Sequence, residues 1–317
     1  MSETCVYIGE ALARYSFGVD HPFGPRRHDA FVGEFRRRHL PDKVDVLQPV
    51  KAKQEMIEWF HDPDYVDKVI RMSKLPAGYL DGGDTPAFSN MYDATAHVVG
   101  STLDAVDRVI QGEYKRAFIP IAGLHHARRD TAAGFCIFND CGIAIEALRR
   151  KYQIQRVAYV DIDAHHGDGV FYSFEDDPDL IFLDMHEDGR FLYPGTGRLE
   201  ETGTGKAAGT KLNIPMPMGA SDADFLRVWE TGEKFLREAK PEFILLQCGA
   251  DSLDGDPITH MQYSEQAHAH AAERLCRLAD EYCAGRIVAM GGGGYNLDNL
   301  ARAWCAVVDA FVRHEQA

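Results

Sequence analysis

One stretch limits what this chain can fold into more than any other: Val157-Ala158-Tyr159-Val160-Asp161-Ile162-Asp163-Ala164-His165-His166-Gly167-Asp168-Gly169. It opens as an apolar, β-branched run, the pattern of a buried strand. It closes on three aspartates, two histidines and two glycines. Ionisable groups beside a core strand are costly unless a metal, a ligand or a hydrogen-bond network meets them. Open parallel sheets place their chemistry at such points, just beyond the C-terminal ends of strands. On an extended backbone Asp163 and His165, two residues apart, point to the same side. One carboxylate and one imidazole on one side make half of a metal site. The plainer reading, a helix N-cap with solvated acids, leaves Asp161, Asp163, His165 and Asp168 unexplained beside one strand.

The rest of the chain supplies matching elements. Predicted strands are Cys5–Ile8, Val44–Leu47, Ala117–Ala122, Val157–Asp163, Leu180–His186, Lys211–Ile214, Phe243–Cys248 and Arg286–Met290. Predicted helices cover about Asp29–His39, Lys53–Phe60, Asp64–Met72, Met91–Gln111, Asp140–Lys151, Asp222–Glu238, Ser264–Tyr282 and Leu297–Val312. His21–Arg27 and Leu75–Asn90 read as loops punctuated by proline and glycine. From Ala117 onward strands and helices alternate, the order of a parallel α/β fold. Ala117–Ala122 leads into Gly123-Leu124-His125-His126, Leu180–Met185 into His186, Phe243–Cys248 into Gly249-Ala250-Asp251, and Arg286–Met290 into Gly291-Gly292-Gly293-Gly294-Tyr295. In a parallel sheet these ends share one edge, so the polar groups converge. That convergence is the physical argument for an enzyme.

Composition narrows the class. The 317 residues are 45% hydrophobic and 26% charged, as in a soluble globular protein, with no low-complexity segment, repeat or linker, so a single domain over 1–317 is expected. The net charge of −15 argues against general affinity for nucleic acid, whose phosphates need Lys and Arg. No basic leader and no long apolar segment point to secretion or membrane insertion. The seven cysteines form no CxxC pair, which argues against a disulfide framework or a cysteine zinc site and makes the reducing cytoplasm the default location. Trp229 and Trp304, on predicted helices, read as core, and Glu200 and Glu201 as acids of a solvated loop.

Catalytic zinc takes three protein ligands and keeps one position open. Asp163 and His165 supply two. Asp251 is the best third, since it follows a glycine at a strand end; its bland role would be to cap the next turn. Calcium or magnesium fits less well, because hard cations seldom choose imidazole. His125 and His126 are the proton-transfer candidates, and Asp161 and Asp168 remain to orient them. A metal, a histidine base and a supporting carboxylate suffice for hydrolysis. The glycine run before Tyr295 has two readings. It cradles a phosphate, although it lacks GxGxxG spacing and a P-loop lysine, or it lets the Tyr295 phenol approach a ligand and donate to an oxyanion.

Gly123-Leu124-His125-His126-Ala127, Gly134-Phe135-Cys136, Asp161–Gly169, Pro194-Gly195-Thr196-Gly197, Gly249-Ala250-Asp251-Ser252-Leu253 and Gly291–Tyr295 appear in that order. Together they resemble the zinc-dependent histone deacetylase superfamily, which includes acetoin-utilisation proteins and acetylpolyamine amidohydrolases, and specifically its compact bacterial members. The resemblance runs from about Pro22 to Trp304. It implies an arginase-like α/β fold with a central, mainly parallel eight-stranded sheet flanked by helices. It assigns one Zn2+ to Asp163, His165 and Asp251. His126 with Asp168 becomes the general base and acid, His125 with Asp161 the electrostatic partner, and Tyr295 the group that stabilises the oxyanion. Phe135 and Tyr193 wall a narrow tunnel beside Gly134; relatives often have phenylalanine at the Tyr193 position. Asp84 matches a rim aspartate that holds the substrate backbone, and Arg27 an arginine lining an acetate channel. Structural K+ is implied at Asp161, Asp163, His165, Asp184 and Met185, with Asp184 where relatives often have serine. A second K+ is implied at Phe174, Asp177 and Leu180.

The implied reaction is hydrolysis of an acyl-amide, foremost acetyl-lysine in a protein or peptide, to a free amine and acetate. A polyamine-selective relative would place a gatekeeper glutamate where Ile258 stands, so acetylpolyamine or another small acyl-amine is the alternative substrate. Two rivals are weaker. An arginase-type ureohydrolase needs second-metal carboxylates where Gly167 and Leu253 stand. A non-catalytic acyl-lysine binder would lack a ligand, a dyad histidine or the tyrosine.

Overall fold

The structure is a computed structural model that describes residues 2–316. Eight strands form one sheet: β1 (Thr4–Tyr7), β2 (Asp45–Leu47), β3 (Arg116–Ile119), β4 (Val157–Asp161), β5 (Leu180–Glu187), β6 (Lys211–Met216), β7 (Phe243–Gln247) and β8 (Ile287–Met290). All neighbours pair in parallel, in the order β2-β1-β3-β8-β7-β4-β5-β6, with helices on both faces. β1, β3, β4, β5, β7 and β8 are buried along their whole length. This is why they read as continuous apolar runs rather than alternating ones. The edge strand β6 alternates and tolerates Pro215, since its free side needs no amide donor.

Chain order and sheet order differ at the centre. After β6 the chain returns to insert β7 and β8 between β4 and β3. Ile119, Met290, Gln247, Asp161 and Asp184 therefore stand in one register row across β3, β8, β7, β4 and β5. The loops that leave this row start level with one another, so the motifs at these five strand ends emerge side by side.

All eight expected strands exist, with shifted ends. β3 stops at Ile119 instead of Ala122, because Pro120 follows and Ile121 takes a left-handed φ of 68°. β4 stops at Asp161 rather than Asp163. Short helices at Glu10–Ala13 and Asp168–Ser173 were not expected, and the first long helix starts at Arg26, which takes Arg27 out of the expected loop. Trp229 and Trp304 are core residues, and all seven cysteines are free and buried. Among the described residues no helix is long and apolar enough to cross a membrane.

Candidate active site

β4 ends by bending on its own acids. Asp161 Oδ1 accepts from the Asp163 amide at 3.1 Å, and Asp163 Oδ1 from the His165 amide at 3.0 Å. Two successive side-chain caps thus turn Asp163 and His165 toward a common point, without the extended spacing expected for them. Asp251 joins from the turn after β7, with Oδ1 accepting from the Ala164 amide at 2.9 Å. His165 Nδ1 lies 3.1 Å from both Asp163 Oδ1 and Asp251 Oδ2, and donor atoms of the three residues all fall within 4.8 Å of one another. Asp163 Oδ2 is held by Gln247 Nε2 and the Gly293 amide, each at 2.8 Å. A Cβ on Gly249 or Gly293 would overlap these carboxylates, which is why both positions are glycine.

The three groups favour a positive charge at their centre. Burial opposes the charged His165 imidazole, but Asp163 and Asp251 outweigh it and raise it to about 10. Burial, with the Asp163 charge beside it, pushes Asp251 up to about 7. Two carboxylates and one imidazole, with no Lys or Arg donor between them, suit a divalent metal of zinc type.

β3 delivers the histidines. His126 Nδ1 lies 2.7 Å from Asp168 Oδ1, His125 Nδ1 lies 2.8 Å from Asp161 Oδ2, and the two Nε2 atoms are 3.1 Å apart. Burial, then the neighbouring His125, lowers His126 to about 4. Burial opposes the Asp168 charge, yet His126 and Arg128 keep the carboxyl below its ordinary range. Asp161, which also accepts the Tyr159 hydroxyl at 2.7 Å, is pushed well up by burial and by Asp184 and Asp163.

β8 delivers the glycine run. Arg27 is fully buried and donates from Nε to Gly294 O at 2.8 Å and from Nη2 to Gly292 O at 2.7 Å. Trp304 Nε1 donates to Gly291 O at 2.7 Å. The run's carbonyls are thus pinned from the core side, and the Gly293 amide is spent on Asp163, so no set of free amides is left to cradle a phosphate. Of the two readings, the structure supports the one in which the glycines bring Tyr295 in. Its phenol is held protonated by burial and by Asp251. Tyr295, His125, His126, Asp163, His165 and Asp251 line one narrow cavity.

Residues 21–311 match the family described as the histone deacetylase domain. The chain is 38% identical to the acetoin utilization protein AcuC of Bacillus subtilis (strain 168), over 97% of this chain and 81% of that protein. It is 33% identical to AcuC of Staphylococcus xylosus, over 98% and 83%. Among solved structures, the HD domain of HDA15 is similar with a TM-score of 0.88 at 26% identity, covering 98% of this chain and 88% of that one. The chain belongs to the histone deacetylase family. The fold is accordingly the arginase-like deacetylase fold, and the family activity is deacetylation.

In this histone deacetylase domain the remaining expected residues fall as follows. Tyr193, 44% exposed, lies 5.1 Å from the His126 ring centroid and 6.4 Å from that of His165. Phe135 packs edge-on to Tyr295 at 5.9 Å, and Gly134 lies flat on His126, where a Cβ would collide. Asp84 lines an outer groove with Asp81, Arg128 and Tyr193, and burial with the Asp81 charge pushes it up to about 6. Ile258 lines a cavity of about 310 Å³ together with Pro257, His21 and Tyr295. Asp184 stands beside Asp161 across the β4–β5 ladder, and its carboxylate takes His186 Nδ1 at 2.6 Å and the Gly167 amide at 2.8 Å. Met185, Phe174 and Leu180 are buried, while Asp177 pairs with Arg149. Glu200 is exposed as expected, but Glu201 is half-buried and accepts from the Tyr172 hydroxyl and the Arg198 amide, so it is not a free solvated acid.

Sequence reasoning missed Gln247, Asn139 and Asp140. Asp140 accepts from the Gly123 and Leu124 amides at 2.8–3.1 Å, while Asn139 Nδ2 donates to the carbonyls of His125 and Ala127. This pair, at the start of the helix Asp140–Tyr152, clamps the dihistidine loop from both sides. Gln247 was within reach of the strand-end rule, since it closes β7. Asn139 and Asp140 look like an ordinary cap and first-turn acid, and only their contacts distinguish them.

Proposed function

We propose that this chain is a zinc-dependent amidohydrolase that removes the acyl group, most simply acetyl, from lysine side chains in a peptide or protein. What supports the reading is the meeting, on one narrow cavity, of the Asp163–His165–Asp251 group, the His126–Asp168 pair and Tyr295. Asp163, His165 and Asp251 would hold the zinc, which when bound supplies a Lewis acid to polarise the amide carbonyl and activate water. His126 does the proton work. Asp168 takes the hydrogen on Nδ1 and so leaves Nε2 free to accept a proton from the attacking water and pass it to the leaving nitrogen. Its lowered pKa keeps His126 neutral, and hence a base, at pH 7. His125, oriented by Asp161, acts as electrostatic partner. The Tyr295 phenol donates to the developing oxyanion. Phe135 and Tyr193 grip the aliphatic stem, Gly134 leaves it room, and Asp84 holds the substrate backbone at the rim. Arg27 would meet the acetate product, a role supported by its Nη1, which is buried without a hydrogen-bond partner.

Structural potassium at Asp161, Asp163, His165, Asp184 and Met185 fits one observation: Asp161, Asp163 and Asp184 are neighbouring buried acids, a crowding that a cation relieves. A second substrate reading, an acetylpolyamine or other small acyl-amine, has Asp81 and Asp84 at the mouth in its favour, because two carboxylates attract a cationic chain. Against it, Ile258 carries no charge. The arginase reading lacks its second metal, since among the described residues the one cluster with ligand spacing is Asp163–His165–Asp251.

The test is hydrolysis of acetyl-lysine peptides, longer acyl-lysines, acetylpolyamines and small acetamides by zinc-loaded protein. Acetyl-lysine peptides should be turned over, with activity abolished by a chelator and by hydroxamates. Turnover that survives chelation sinks the zinc reading. A preference for acetylpolyamines moves the substrate to small amines.

A further inference from the structure

Lys211 opens β6 and is 1% exposed. A buried lysine is rare unless its charge is met. Its Nζ donates to the main-chain oxygens of Asp177 at 2.7 Å and Leu180 at 2.8 Å, and to Thr210 Oγ1 at 2.8 Å. An ammonium has three donors, and all three are used. None of the partners is a carboxylate. The Asp177 side chain turns instead to Arg149, while Asp176 and Asp179 add negative charge around the turn. A compact point charge ringed by neutral oxygens is the coordination of a monovalent cation site rather than of an ion pair. Burial lowers Lys211 to about 8, so it still carries its proton at neutral pH.

Two of these acceptors, the carbonyls of Asp177 and Leu180, are positions where the family resemblance implies a second potassium. We propose that Lys211 is a resident cation that fills this carbonyl cradle, so that this chain takes no potassium there. The turn it closes runs from the helix Asp168–Ser173, whose first residue orients His126, into β5, whose Asp184 borders Asp161. Lys211 therefore ties the dyad-bearing segment to β5 and β6 without an ion from solution.

The test uses the full chain. Thermal denaturation of wild type and Lys211→Ala is compared in KCl and in choline chloride at equal ionic strength. In choline, Lys211→Ala should melt lower than wild type by about 4 °C or more, because the buried Leu180 carbonyl and two part-buried acceptors lose their donor. Potassium should restore part of that loss, adding a dependence on KCl that wild type does not show to the same degree. Equal potassium dependence in the two proteins, or an unchanged midpoint in the variant, overturns the proposal. Should Lys211→Ala fail to fold, crystals of wild type grown in RbCl decide the matter by anomalous scattering. A rubidium peak on the Asp177 and Leu180 carbonyls refutes a resident lysine, and none there supports it. Neither result touches the amidohydrolase reading, which is tested separately by turnover and chelation.

Discussion

Gln247→Leu tests how this chain prepares a metal site. Asp163 Oδ2 accepts two hydrogen bonds, from Gln247 Nε2 and the Gly293 amide, both 2.8 Å long. Leucine keeps much of the side chain's bulk but removes the first. A hydrogen bond to a charged group contributes about 1.5–3 kcal/mol. At about 1.4 kcal/mol per decade the zinc affinity should weaken about 10- to 100-fold, the usual range for a lost partner of a metal ligand. There is a second cost. Gln247 Oε1 accepts from the Gly249 amide at 2.7 Å, and leaving that buried N–H unpaired destabilises the fold by about 1–3 kcal/mol. The assay is a zinc titration against a chromophoric chelator, with folding followed by circular dichroism. A folded Gln247→Leu protein that binds zinc within about twofold of wild type would refute the reasoning.

Tyr295→Phe should lower kcat by about 10²–10³ with zinc content unchanged, and His126→Ala by about 10²–10⁴; full activity in either, read as turnover per bound zinc, contradicts the assigned roles. The pH dependence has a definite sign. His126 and the buried His61, lowered to about 4 and about 3, bind protons more weakly folded than unfolded. These two groups therefore take stability away as pH drops from about 6.5 toward these values, opposed over the same window by Asp251 and Asp84, which bind protons more tightly folded than unfolded, and the acid limb of kcat/KM assigned to His126 should lie below 6.5. An acid limb of kcat/KM at or above 6.5, measured as a pH–rate profile, would contradict it. Glu200→Gln should change stability by less than about 0.5 kcal/mol, whereas Glu201→Gln, which weakens the bonds from Tyr172 and Arg198, should cost about 1 kcal/mol by the same measurement.

The convergence of several residues could be read from the chain because its signals are local. The parallel sheet follows from apolar runs whose polar residues begin where each strand ends, and that rule brought His125, His126, Asp163, Asp251 and Tyr295 to one edge. The reason given for Asp163 and His165 was incorrect even though they do meet. Alternation along a strand was expected to aim them, and a pair of aspartate-capped turns does so instead. The glycine run stayed ambiguous because its meaning rests on Arg27 and Trp304, more than 260 residues before and some ten after it.

The sequence by itself determined the class of sheet, the edge that carries the chemistry, and the residue types that meet there, because burial periodicity and the cost of charge beside a core strand act locally. Only the tertiary structure decided which groups hold these in place. Gln247 on Asp163, Asn139 and Asp140 around the dihistidine loop, and Lys211 on the Asp177 and Leu180 carbonyls are all side-chain contacts to residues 12 to 84 positions away, most of them to main-chain atoms. A helix cap and a lysine carry no sign of such roles in their own neighbourhoods, and Gln247 carries only its place at the end of a strand. For Gln247 the role arises because β7 and β8 insert between β4 and β3, which sets it level with Asp161 in one register row.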